Sequence, residues 1–138
     1  MNRISAASGI KLIDCRGPLC VVDDDESIRW SLTALLSSMD LEAHSFACGQ
    51  DFLDSEMVDT CVCLISDVKM KQMSGFQLFE ALTASGRKIP VIFISGHADD
   101  AMRKSALSLG VTALLDKPFN DDTLLRLVAH ILKPQPAR

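Results

Sequence analysis

Ile65-Ser66-Asp67-Val68-Lys69-Met70 is the stretch on which the fold turns. The apolar run Cys61 to Ile65 leads into it, and Lys71-Gln72-Met73-Ser74-Gly75 follows as a loop. A short, partly β-branched run that ends in an acid reads as a strand carrying a carboxylate at its carboxyl end. In open α/β sheets that edge is where ligands bind.

Outward from Asp67 the chain alternates between strand and helix patterns. Upstream, Leu19-Cys20-Val21-Val22 is a continuous apolar run suited to a strand covered on both faces, with Asp23, Asp24, Asp25 and Glu26 directly after it. Ile28, Leu32, Leu35, Leu36 and Met39 then form a helical stripe, its acidic start favoured by the helix dipole. Leu41 to Phe46 is a second strand, and Gln50 to Glu56 a short helix. Downstream, Ser74 caps a helix that Gly86 ends. Ile89 to Ser95 is a fourth strand. Asp99 caps a helix that runs to Leu109 and closes at Gly110. Val111 to Leu115 is a fifth strand, and Asp121 opens a last helix with Leu124, Val128 and Ile131 on one side. Five strands alternating with five helices predict an α/β domain, a doubly wound parallel sheet with helices on both faces. The domain spans 19–133; residues 1–18 read as an N-terminal tail, with a short strand considered at Ile10 to Ile13, and 134–138 as a C-terminal tail or the start of a linker.

With 138 residues, one domain with one substantial core is expected. The net charge of −4 offers no general attraction to nucleic acid or anionic membrane. Residues 1–18 contain no apolar run long enough to be a signal-peptide core, and no run in the sequence approaches the roughly 18 apolar residues of a membrane span. The five cysteines are odd in number and lack zinc-ribbon spacing, so reduced thiols in a cytoplasmic protein are expected. Cys61 and Cys63 are read as core residues on one strand face, and Trp30 as a partly buried packing residue.

A parallel sheet gathers its strand ends at one edge. There the sequence places Asp23-Asp24-Asp25, Asp67, Ser95-Gly96-His97 and Asp116-Lys117-Pro118-Phe119. Carboxylates from two strands repel unless a cation joins them. A hard divalent ion, Mg²⁺ in particular, suits two carboxylates, a backbone carbonyl, waters and phosphate oxygens. Lys117 adds a point charge and Ser95 a hydroxyl. Together they form a cradle for a transferring phosphoryl group, with Asp67 as its acceptor.

The acidic cluster, Asp67-Val68-Lys69-Met70 with Met73-Ser74-Gly75, Ser95-Gly96-His97 and Lys117-Pro118-Phe119 occur in the order and spacing of a known family. Over about 19–133 the chain resembles the receiver domain of two-component response regulators. Ser-Gly-His-Ala-Asp and Asp-Lys-Pro-Phe resemble most the FixJ type, which usually carries a LuxR-like DNA-binding domain after the receiver. The resemblance implies a flavodoxin-like sheet of strand order 2-1-3-4-5. It implies that Asp67 accepts phosphate from a sensor histidine kinase, that Asp24 binds Mg²⁺ directly, and that Asp23 does so through water or supports it. The backbone carbonyl of Lys69 would complete the protein ligands. Ser95 would hydrogen-bond the phosphoryl oxygens and Lys117 pair with them. Phosphorylation would then switch the helix 4–strand 5 surface for a partner or a homodimer.

Three departures from the family pattern stand out. Lys71 replaces a usual proline, Leu114 replaces the aromatic residue often found three positions before the lysine, and the sequence to Arg138 carries no effector domain, which leaves open either a stand-alone receiver or a chain that continues past the linker. Leu114 has no ring to rotate, which keeps a phosphate-independent, degenerate receiver as the alternative. A haloacid-dehalogenase-type phosphatase would need an acid two positions after its nucleophile, where this chain has Lys69. His97 is read either as leaning over the site or as an exposed loop histidine, and the Lys69 side chain is left equally open.

Overall fold

A computed structural model describes residues 17–132; the Ile10 to Ile13 segment, Cys15 and the tail from 133 lie outside the described residues. The elements run β1 (Leu19–Val22), α1 (Glu26–Ser37), β2 (Ala43–Phe46), α2 (Gly49–Leu53), a 3-10 turn (Glu56–Asp59), β3 (Cys63–Asp67), α3 (Gly75–Ala84), β4 (Val91–Ser95), α4 (Asp100–Leu109), β5 (Ala113–Asp116) and α5 (Asp121–Leu132). The five strands form one parallel sheet in the order β2-β1-β3-β4-β5. This is the doubly wound order expected from the alternation and the resemblance.

Strand residues alternate between two cores. Leu19, Val21, Cys63, Ile65, Ile92 and Ile94 face Leu32 and Leu36 of α1 and Leu124 and Val128 of α5. Cys20, Val22, Leu64, Val91 and Phe93 face Phe52 of α2 and Leu78 and Leu82 of α3. Burial on both faces is why β1, β3 and β4 read as unbroken apolar runs rather than alternating ones. Edge strands β2 and β5 are covered less and show a weaker signal.

Expected and observed boundaries differ for local reasons. The Cys61 N–H turns back to the Met57 carbonyl, so β3 starts at Cys63, while it ends at Asp67 as expected. Cys61 therefore does not share a face with Cys63: it packs against the α3-side core, whereas Cys63 sits in the α1–α5 core. Leu41 N–H closes α1 onto Leu36, with Asp40 at φ 62°, and β2 begins only at Ala43. The helix expected over Gln50 to Glu56 ends at Leu53 and is followed by the 3-10 turn. Trp30 is also corrected. It stands about 200° around α1 from Ile28, and it is 73% exposed. Cys20, Cys48 and Cys61 are reduced thiols.

Several caps named in the sequence are formed. Ser74 and Gln77 make a reciprocal capping box at α3. Asp99 accepts from Met102 N–H, and Gly110 closes α4 at φ 77°. Gly75 has a different task, because a Cβ there would lie 2.3 Å from the Asp67 carbonyl oxygen and 2.9 Å from the Phe93 ring. The close approach of α3 to the end of β3 thus requires glycine. Gly75→Ala is expected to cost about 2 kcal/mol or more of stability by overpacking. Urea unfolding at two or more probes measures it, and an unchanged midpoint would contradict the close approach.

Candidate functional site

Parallel pairing of β1 with β3 and of β3 with β4 brings three strand ends side by side. Val22 pairs with Ser66, and Asp67 with Ile94, so Asp23 and Ser95 stand one step beyond their neighbours' last paired residues. Asp23, Asp67 and Ser95 are buried, while Asp24 is exposed. The carboxylate oxygens of Asp23, Asp24 and Asp67 lie within 4.8 Å of one another. Such an all-oxygen donor set fits a hard divalent cation such as Mg²⁺.

Lys117 follows β5 directly. Its Nζ is 3.3 Å from Asp23 Oδ2 and 3.5 Å from Asp67 Oδ1. Its backbone N–H donates to the Ser95 carbonyl at 2.7 Å, which ties the lysine to the end of β4. The Lys117–Pro118 peptide is cis. Ser95 Oγ accepts from His97 N–H at 3.1 Å. The His97 side chain is exposed, as is that of Lys69 two residues beyond Asp67.

Asp25 and Glu26 stay at the helix start. Asp25 caps α1, accepting from Ser27 N–H at 2.9 Å and Ser27 Oγ at 2.7 Å. Those bonds hold its carboxyl below the ordinary range. Asp116, read from the sequence as one more acid at the edge, turns to Arg103 of α4 instead. One contributor escaped the motif reading: Arg29 of α1 reaches back to donate to the Asp23 carbonyl.

Burial, then the Asp23 charge, pushes the Asp67 carboxyl above its ordinary 3.8, while Lys117 pulls it down. The lysine does not cancel the penalty. Within this geometry the edge is an acidic hollow, preorganised by the sheet register, with one ammonium and one hydroxyl at its rim.

A family model of the response regulator receiver domain matches residues 19–129. The chain belongs to that family. It is 42% identical over 108 residues to the transcriptional regulatory protein TdiR of Thauera aromatica, covering 78% of this chain and 48% of that protein. The solved response regulator StyR is 37% identical with a TM-score of 0.79, over 86% of this chain and 60% of that one. FixJ-N, at 27% identity and a TM-score of 0.75, covers 90% and 99% respectively. The chain thus spans about half the length of the regulator TdiR. The FixJ-type resemblance agrees with 35% identity over 111 residues to FixJ of Azorhizobium caulinodans.

A raised Asp67 pKa fixes the sign of one effect. The stability tied to protonated Asp67 is fully present below its unfolded value and is lost as pH rises through its higher folded value. At pH 7 the ionised side chain therefore costs stability. In Mg²⁺-free buffer Asp67→Asn is expected to raise Tm by about 4 °C at pH 7. The gain should shrink as pH falls toward 3.8. Thermal melts of both proteins across that range check it, and a destabilised Asn variant at pH 7 contradicts it.

Proposed function

We propose that this receiver domain is the phosphoacceptor of a two-component phosphorelay, taking a phosphoryl group from a sensor histidine kinase onto Asp67. The observation that carries this reading is the convergence of Asp23, Asp24, Asp67 and Lys117 at one strand edge. Asp67 Oδ would attack phosphorus as the phosphorus–nitrogen bond to the kinase imidazole breaks, leaving an acyl phosphate. Lys117 would pair with the incoming phosphoryl oxygens, and the Ser95 hydroxyl would donate to one of them.

Asp24 and Asp67 would hold Mg²⁺ directly, with Asp23 through water and the Lys69 backbone carbonyl as the last protein ligand. The ion would neutralise charge on the transferring group. The chain's own groups do the rest: the sheet holds the acceptor, and its buried base keeps the carboxylate poorly solvated and ready to react. The domain acts as a signalling module rather than an enzyme, over 19–133, with 1–18 and 134–138 as flanking tails.

Phosphorylation adds about −2 charge. It would act on the α4–β5 surface to engage a partner or a second copy, and through it control transcription by a DNA-binding domain outside this chain. The net charge of −4 fits a receiver that does not itself bind nucleic acid. Among the described residues no helix is long and apolar enough to cross a membrane, and a cytoplasmic site of action completes the proposal.

Incubation with acetyl phosphate and Mg²⁺, followed by intact-mass measurement, tests it. One phosphoryl adduct is expected, absent in Asp67→Asn and absent when EDTA removes the ion. An adduct that survives Asp67→Asn, or no adduct at all, overturns the assignment. Equal partner affinity with and without beryllofluoride would support the phosphate-independent alternative instead.

A further inference from the structure

Every polar atom of Asp23 has an identified partner. Its N–H donates to the Phe46 carbonyl at 3.2 Å, at the end of the β1–β2 ladder. Its Oδ1 accepts from Asp25 N–H at 2.9 Å, and its Oδ2 faces Lys117 Nζ at 3.3 Å. The remaining atom, the backbone carbonyl, accepts from Arg29 Nη1 at 2.8 Å. That carbonyl belongs to the peptide unit joining Asp23 to Asp24. Rotating the unit would swing the Asp24 Cα–Cβ bond, and with it the exposed carboxylate of the three-acid group.

Arg29 is well placed to resist such rotation. It is half-buried and lies one turn into α1. Its N–H donates to the Asp25 carbonyl at 3.1 Å, and its carbonyl accepts from Thr33 Oγ1 at 2.9 Å. The Arg29 backbone is thus held in the start of the helix that Asp25 caps, and the guanidinium extends from that fixed base. It reaches six residues back along the chain to the strand end.

We propose that Arg29 is a positioning residue, locking the Asp23–Asp24 peptide so that the Asp24 carboxylate faces the cation position. The proposal rests on the Mg²⁺ reading given above. It makes a prediction opposite in sign to simple electrostatics. A guanidinium bonded to the backbone of one of the three acids adds positive charge near the cation position, so on charge alone its removal tightens Mg²⁺ binding. If Arg29 holds the ligand in place, its removal weakens binding, as loss of an orienting partner does at other metal sites.

Calorimetric titration of the full chain with MgCl₂ at fixed ionic strength separates the two. Arg29→Ala is expected to weaken Mg²⁺ binding on the order of tenfold. In an Asp24→Asn background the same substitution should have little further effect, because Arg29 acts through Asp24. Should the alanine variant fail to fold, Arg29→Gln decides by the same sign, being neutral and too short to reach. Unchanged or tighter binding in these variants overturns the proposal while leaving the functional reading intact, as does a loss additive with Asp24→Asn. Failure of the wild-type chain to bind Mg²⁺ overturns both.

Discussion

Two carboxylates, those of Asp23 and Asp67, share one ammonium, that of Lys117. The rest of the site depends on that shortage of positive charge. Unit charges about 4 Å apart interact by about 4 kcal/mol at an effective dielectric near 20. One lysine can offset a single repulsion of that size, and Asp24 adds another acid to the hollow. Burial first, and the Asp23 charge second, drive the Asp67 carboxyl up despite its ion pair. A folded domain keeps such an arrangement only where the surrounding structure imposes it.

What imposes it is backbone register. β1 and β3 lie side by side because each is buried on both faces, so neither can slip without exposing a core row. Their ends are then fixed by short covalent tethers to Asp23 and Asp67. Gly75 lets α3 approach the Asp67 carbonyl more closely than any side chain would permit. Arg29 and Asp25 hold the opposite lip by hydrogen bonds to Asp23. The placing of the acids thus rests on backbone positions.

This explains what could be read from the sequence. Order, element types and strand-end residues were legible because they follow from period changes and from an acid, hydroxyl or lysine directly after an apolar run. Lys117 Nζ stands 3.3 Å from Asp23 and 3.5 Å from Asp67 at that edge. The turn chemistry around Cys61 was not legible: a single N–H returning to Met57 shifts the strand start and changes which core Cys61 joins. Trp30 shows the limit of residue type as a guide, since its place opposite the Ile28–Leu32 stripe outweighs its size. Arg29 carries no motif at all. A long side chain reaching back across a helix start leaves no period and no spacing to detect.

The same principle bears on Leu114, where relatives often carry an aromatic ring. Leu114 is half-buried against the α3-side core and has no ring to turn. Two other bonds nevertheless join the site to α4. Lys117 N–H holds the Ser95 carbonyl, and Asp116, one residue earlier, pairs with Arg103. Ser95 and Asp116 are also partners in the β4–β5 register. Were Ser95 displaced, the β5 end would be pulled with it, and the Asp116 carboxylate would either follow or release α4. The Arg103–Asp116 pair is about half exposed, so water makes its release inexpensive. With leucine at this position, the contacts that join strand edge to helix face here are polar ones.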